Sequence, residues 1–481
     1  MPQTQSHSAV NKAMATITSA ISSWISYFFW AFLSVGIVLN LLYSTVRYLF
    51  AGWGSANAAF WGVFAFRNIR LLVHCIAFFC YRPAPEMRNP RYSAKDVTVV
   101  VPTITPHKMD FLETVTCICR NEPNTIIVVT VGQQNEMITR QSLALLMHKY
   151  PGINFSIMTA KEANKRAQIG VAARQIMTPI TFLVDASVFW GPSFLTSALA
   201  AFEDASVYLV GTNKRVRVST WDSLENFLPW GFMFNFFGST YLGRHNFEIR
   251  ATNTIDGGLF AVSGRTMGIR TAFLKDPKIL YGFENERVSS VLGKFIPACN
   301  EPLLPDDDNY LTRQVINAGH KIKIQYTEDA RVEIAPQFTY PRFLSQCMRW
   351  ARSTYRSNCA TMITERAIYR NQPWSWYAVY LNGMVNFALG CDCMLLYLFR
   401  KTTYNSRFSI FTLVAWIILS KLIKLIPYFI RNPRDLIFAP VYCLFAWYHS
   451  WIKLQALVTF YSADWAGRNL DAVNEAAATK D

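Results

Sequence analysis

The chain has 481 residues, of which 52% are hydrophobic and 15% aromatic, and carries a net charge of +16 at pH 7. The apolar share exceeds the ~45–50% usual for soluble domains, which argues against a wholly soluble protein and for membrane segments. Nucleic acid is not expected as a partner, because the basic residues form no single patch and no nucleic-acid motif occurs. Many cations instead flank apolar runs, among them Arg67, Arg70, Arg400, Lys421, Lys424 and Arg431, as side chains that anchor at a lipid bilayer do. The ten cysteines show no zinc-type grouping. Cys117/Cys119 and Cys391/Cys393 read as buried reduced thiols, with no disulfide framework expected.

In chain order, residues 1–18 are polar and small and read as a disordered tail. Residues 19–81 hold N-terminal membrane segments. The run Ile21–Phe50 is long enough to cross a hydrocarbon core, which takes about 20 residues. A second run, Ala58–Tyr81, carries Arg67 and Arg70 near its middle, a costly place for charge, so a short span and an interfacial helix are both open. From residue 96 to 335 the texture changes. VTVVVPT (97–103), IIVVTVG (126–132) and ITFLVDASVFW (180–190) are β-branched runs that suit buried parallel strands, with helical stretches between them. That alternation predicts an α/β, doubly wound domain, with ligands at the carboxyl ends of its strands. Pro102, Thr103, Thr130 and Asp185 fall along that edge. Residues 336–373 read as interfacial helices, and 374–462 as C-terminal membrane segments in three runs: Trp374–Phe399, Phe408–Ile430 and Leu436–Tyr461. Residues 463–481 form a polar tail. No internal repeat is present.

Two stretches carry the chemistry. LLPDDDNYLTR (303–313) sets three carboxylates side by side, where mutual repulsion demands a cation, a proton or a functional reason. QCMRWARSTYRSN (346–358) places Gln346, Arg349 and Trp350 on one helical face. A guanidinium that grips phosphate oxygens beside an indole that stacks on a sugar ring suits a sugar diphosphate.

An acid-Asp motif followed by QxxRW, just ahead of membrane segments, resembles the signature of processive family 2 glycosyltransferases, the hyaluronan, chitin and cellulose synthases. The absence of an extra domain makes the compact hyaluronan-synthase-like fungal polysaccharide synthases the nearest likeness, which covers residues 97–358. It implies a GT-A-like, nucleotide-sugar-binding domain inserted between N-terminal and C-terminal transmembrane helices. It also implies a multi-pass protein of the cell membrane with its catalytic domain in the cytosol.

By the same resemblance, the donor is a nucleotide sugar, UDP-linked, and the product is a growing polysaccharide destined for the cell wall or exterior. Asp308 is the catalytic base and Asp307 the preceding acid that raises its pKa, while Asp306 reads as a helix cap. Asp185 matches the first aspartate of the metal-binding DxD motif, implying Mg²⁺ or Mn²⁺, although Ser187 replaces the second aspartate. Lys165 and Arg166, in NKRAQIG, match a nucleotide-contacting pair, and Pro102 and Thr103 lie at the donor edge. Arg349 holds the diphosphate. Trp350 and Gln346 face the acceptor, as do Gly258, Ser263 and Gly264 of the loop DGGLFAVSGR (256–265). Thr130 stands where the family carries a nucleoside-contacting aspartate. Trp465–Arg468 is similar to a WGTR element on the catalytic side, which conflicts with three C-terminal spans. Two other readings stay open: a non-processive transferase acting on a lipid acceptor, and a catalytically silent membrane scaffold.

Overall fold

A computed structural model describes residues 56–217, 231–289, 292–335, 340–463 and 474. The expected run Ile21–Phe50 and the stretch Trp465–Arg468 lie outside these residues.

Among the described residues the α/β domain is built on ten strands: β1 (Val97–Pro102), β2 (Thr125–Val131), β3 (Asn154–Ala160), β4 (Ile180–Val184), β5 (Val188–Trp190), β6 (Val207–Thr212), β7 (Lys214–Val216), β8 (Thr266–Arg270), β9 (Lys321–Gln325) and β10 (Val332–Ile334). Seven form one sheet in the order β3-β2-β1-β4-β8-β6-β9, and three form a small sheet, β5-β10-β7. Every residue of β1 and β4 is buried. That follows from their largely apolar sequence, in which the polar side chains, Thr98 and Thr181, bond the hydroxyls of Thr178 and Thr271, so both faces can be covered. The β3-β2-β1-β4 half is parallel, as the sequence predicts. Beyond β4 the expectation of a doubly wound parallel sheet is corrected, because β8 runs antiparallel to both β4 and β6 and the sheet is mixed. The chain reaches β8 from a long helix rather than from a strand crossover, so it enters the sheet from the opposite end.

The helices that position the site are α1 (Ala56–Cys80), α2 (Met109–Cys119), α3 (Gln133–Lys149), α4 (Lys165–Ala173), α5 (Gly231–Asp256), α6 (Asp307–Asn317) and α7 (Tyr340–Cys359). Beyond them lie α8 (Pro373–Val385), α9 (Ala388–Phe399), α10 (Arg407–Arg431) and α11 (Ala439–Val458). Among the described residues, α1 and α10 are long and apolar enough to cross a membrane. The run Trp374–Phe399 is not one straight span: α8 and α9 meet at 91°. The two mid-helix arginines of α1 are accommodated by partners from other helices. Arg67 pairs with Asp392 of α9 at 2.6 Å, and Arg70 pairs with Glu248 of α5, which also binds Lys424 of α10. Each charge costs less beside its opposite than alone in an apolar setting.

The apolar run after α10 does not carry the chain away from the catalytic domain. Beyond α11, Arg352 of α7 donates to Thr459 Oγ1 (3.1 Å) and Ser462 Oγ (3.0 Å), and Arg356 donates to the Phe460 carbonyl (2.6 Å). Further along, Asn474 Oδ1 accepts from the Ala163 N–H, just ahead of α4 (2.7 Å). Ser462 and Asn474, on either side of the expected WGTR-like element, thus lie beside α7 and α4 of the catalytic domain. All ten cysteines are unpaired; Cys117 and Cys119 are buried as expected of core thiols, whereas Cys393 is exposed on the outer side of α9.

Candidate active site

The three adjacent aspartates have three different surroundings. Asp306 stands at the N-cap position of α6 with φ +65°. Side-chain capping needs extended backbone there, and in this left-handed conformation the carboxylate makes no capping bond. It crosses instead to α7, where it accepts from Arg356 Nη2 at 2.7 Å, Arg356 Nε at 2.9 Å and the Ser353 hydroxyl. Burial disfavours its charge, but Arg356 and the Ser353 hydroxyl, with the field of Arg349, together more than offset this and its pKa falls below the ordinary value. The expected cap is thus a buried strut joining the acidic motif to the QxxRW helix.

Asp307 pairs with Lys165 Nζ at 2.9 Å, and the same ammonium meets Asp185 at 2.8 Å and the Gly264 carbonyl at 3.2 Å. Burial works against the Lys165 charge, yet the two carboxylates outweigh it and its pKa is raised.

Asp308 differs from both. Among the described residues, no cation lies within ion-pair distance of it. Its Oδ2 accepts from the Gly264 N–H at 2.8 Å and its Oδ1 from the Asn309 N–H at 2.9 Å. Burial first, and the neighbouring Asp307 charge second, push its pKa up to about 6, against the pull of the Gly264 N–H. A carboxylate tuned in this way is ionised at neutral pH and still basic enough to take a proton. Gly264 is required by close approach: a Cβ there would sit 3.2 Å from both Asp308 Oδ2 and Lys165 Nζ. Ser263 lies in the same turn, its hydroxyl 3.5 Å from the Arg265 N–H. Gly258 serves a different contact from the one expected. A Cβ there would lie 2.0 Å from Ser375 Oγ of α8, so it seats the loop on that helix rather than lining the acceptor side.

On α7, Phe343, Cys347, Ala351 and Tyr355 recur at i, i+4 and turn into an aromatic cluster shared with α5, α10 and α11. Gln346, Arg349 and Trp350 are left partly exposed on the other side. Trp350 stacks on Tyr241 of α5 (centroids 4.7 Å apart, 29° between planes), and the Arg265 guanidinium lies 5.7 Å from the Trp350 ring. Arg265 is the residue the sequence reading passed over. Burial lowers its pKa, and it sits within the fields of Asp185, Arg349 and Asp308, so it links the acids to the QxxRW face. Its position directly after Gly264 was the available signal. Tyr241 lay in a stretch with no motif to mark it.

The paired cations of NKRAQIG divide. Lys165 enters the site, whereas Arg166 is 1% exposed and spent on Glu286 (2.7 Å) and the carbonyls of Phe283 and Pro305 (both 2.9 Å). A guanidinium so occupied braces the loop ahead of the acids and is not free for a diphosphate. Pro102 and Thr103 lie buried at the carboxyl end of β1, where the Thr103 carbonyl accepts from Gln168 Nε2 at 3.1 Å. Thr130 is fully buried, so it offers a nucleoside nothing.

No group of three or more His, Cys, Asp or Glu side chains that would hold a metal occurs among the described residues. Asp185, with its side chain 39% exposed, and the partly exposed Ser187 still fit a hard cation that takes its other ligands from donor phosphates and water. When bound there, such an ion neutralises charge developing on the leaving diphosphate.

Residues 94–353 match the family described as "Glycosyltransferase like family 2". The chain is 35% identical to a "Type 2 glycosyltransferase" of Gibberella zeae, over 86% of this chain and 76% of that protein. It is also 35% identical to one of Zymoseptoria tritici, over 85% and 83%. Among solved structures, a mannosyltransferase from Pyrobaculum calidifontis in complex with GDP-Man and Mn²⁺ superposes with a TM-score of 0.51 at 14% identity, covering 83% of this chain and 97% of that one. The chain belongs to glycosyltransferase family 2 and is an enzyme with the GT-A-like fold that binds nucleotide sugars.

Proposed function

We propose that the protein is an inverting, processive glycosyltransferase that adds sugars from a UDP-linked donor to a growing polysaccharide and passes the product between its membrane helices. In the transfer step the acceptor hydroxyl gives its proton to Asp308, and its oxygen bonds to the anomeric carbon. The bond from that carbon to the diphosphate breaks, and UDP leaves with the electron pair. Arg349 and Lys165 face the diphosphate. Arg265 holds positive charge between the donor side and the acceptor side. Asp185 and Ser187 would hold Mg²⁺ or Mn²⁺.

The observation that carries this reading is a cavity of about 330 Å³ with Trp350 and Tyr241 in its wall. It continues between the membrane helices, lined there by Arg67, Arg70, Lys421 and Lys453. A hydrophilic passage beginning at a sugar-stacking indole suits a product handed onward, since polar groups among apolar helices persist where they line a path. The same passage would admit the head of a lipid acceptor, which keeps the non-processive reading as the second one. Purified protein in detergent, given labelled sugar nucleotides one at a time, separates them. A long product from a UDP-sugar supports the proposal, a lipid bearing one sugar replaces it with the second reading, and no turnover with any donor overturns both.

A further inference from the structure

A second cavity, of about 280 Å³, lies on another face of α5. Its wall includes Phe78, near the end of α1, and Arg431, the last residue of α10, so both membrane-length helices terminate at it. Arg215 and Arg250 bring two more guanidinium groups from the catalytic domain, and Lys214 an amine whose pKa burial lowers to about 7, against the single carboxylate of Glu328. Glu328 is already engaged by Arg215 (3.3 Å) and by Arg331. Among the described residues, none of Lys214, Arg250 and Arg431 has an acid within ion-pair distance.

Arg250 is held in place without being neutralised. Its guanidinium lies 4.0 Å from the ring centre of Phe78, 4.9 Å from that of Tyr326 and 5.0 Å from that of Tyr81, an aromatic cradle that fixes its plane. Its Nε is buried without a hydrogen-bond partner, and so is Oδ1 of Asn213 in the same wall. Like charges gathered in one concave site repel, and buried polar atoms without partners are costly, so the arrangement calls for a ligand. That ligand carries anionic oxygens for the guanidinium and ammonium groups and a hydroxyl or amine donor for Asn213.

We propose that this cavity, where α1 and α10 reach the catalytic domain, binds a phosphate-bearing anion of the phospholipid headgroup class, separately from donor and acceptor. The proposal rests on α1 and α10 lying in a bilayer, which sets headgroups at their ends. The occupied site clamps both helix ends to β7 and α5.

The test uses the full chain in nanodiscs of phosphatidylcholine alone or of phosphatidylcholine mixed with phosphatidylinositol phosphate. Lipid retained after detergent exchange is read by native mass spectrometry. Wild type retains the anionic lipid selectively, and Arg431→Gln and Arg250→Gln each weaken retention about fivefold, the ~1 kcal/mol expected per basic residue at a membrane surface. Arg431 is exposed, so its variant folds even if Arg250→Gln does not. Displacement of the lipid by inorganic phosphate at matched affinity keeps the anion site and assigns its occupant to the soluble phase. Equal retention from both bilayers, or retention unchanged in Arg431→Gln, overturns the proposal. Lipid retention is scored without sugar transfer, so failure here leaves the transferase reading untouched.

Discussion

Two charged seams run through this protein, and they use carboxylates in opposite ways. Between α1, α5, α9 and α10, two acids are each shared by two cations: Glu248 by Arg70 and Lys424, Asp392 by Arg67 and Lys421. Between α6 and α7 the acids are taken singly. Asp306 goes to Arg356 and Asp307 to Lys165, while Asp308 receives only uncharged donors, the backbone N–H groups of Gly264 and Asn309 and, at 3.4 Å, the Asn309 side-chain amide. The number of cations per acid separates scaffold from chemistry. A carboxylate saturated with cations is pinned and weakly basic, whereas one held by neutral donors beside another negative charge stays available for a proton.

The largest expected effect falls on the acid left without a cation. Asp308→Asn should cut sugar transfer by ~10²–10⁴-fold, the worth of a positioned general base. Donor affinity measured by titration calorimetry should hardly change. Near-normal turnover in this variant would remove Asp308 from the base role and erase the contrast between the seams.

Next come the pinned acids. Breaking a buried ion pair from one side costs ~3–5 kcal/mol, because the partner charge is left stranded. Arg356→Met should therefore lower the melting temperature sharply, and adding Asp306→Asn should recover part of the loss by removing the orphaned carboxylate. Glu248→Gln strands two cations where Arg356→Met strands one charge, so its loss should be the greater. Equal losses would show that cation number does not set the strength of a seam.

A smaller effect of opposite sign is expected for stability at Asp308. Its folded pKa of about 6 lies above the ordinary 3.8, so between these values the folded state binds a proton that the unfolded state has released. Stability from this group is therefore lost as pH rises through about 6. Asp308→Asn, which cannot ionise, should melt above wild type at neutral pH and converge with it below the ordinary carboxylate range. A variant less stable than wild type at every pH would contradict this and make Asp308 structural.

How much of this was legible beforehand depended on whether a signal was local. Strands β1, β2 and β4 could be read because unbroken β-branched runs have few alternatives, and the face of α7 could be read because i, i+3, i+4 spacing fixes it. The reversal at β8 could not: TMGIR gives no sign of strand direction, which is set by where α5 delivers the chain. The acidic triplet marked itself as unusual, but the division of labour within it is a matter of partners far away in sequence, Arg356 fifty residues on and Lys165 well over a hundred residues back. Arg356 took Asp306 from capping to bracing, and Lys165 took Asp307. Arg67 and Arg70 looked costly in α1 for the same reason, since Asp392 and Glu248 lie far off in sequence.

The smallest effect tests whether the QxxRW seam touches sugar at all or only braces the fold. Trp350 has one face on Tyr241, and such an aromatic pair contributes ~0.5–1.5 kcal/mol beyond its buried area. Trp350→Ala should therefore weaken engagement of the acceptor by about tenfold or less, shortening the product while nucleotide binding stays the same. Trp350→Phe keeps a ring against Tyr241 and should recover most of the length. A purely structural indole would behave differently: its loss would lower the melting temperature and donor affinity together, and product length would follow total activity. A split between product length and donor affinity is thus the signature of stacking on sugar. It would also place the acceptor at the mouth of the cavity that α1, α5, α10 and α11 line, so that the seam which fixes the acids also sets where the new sugar goes next.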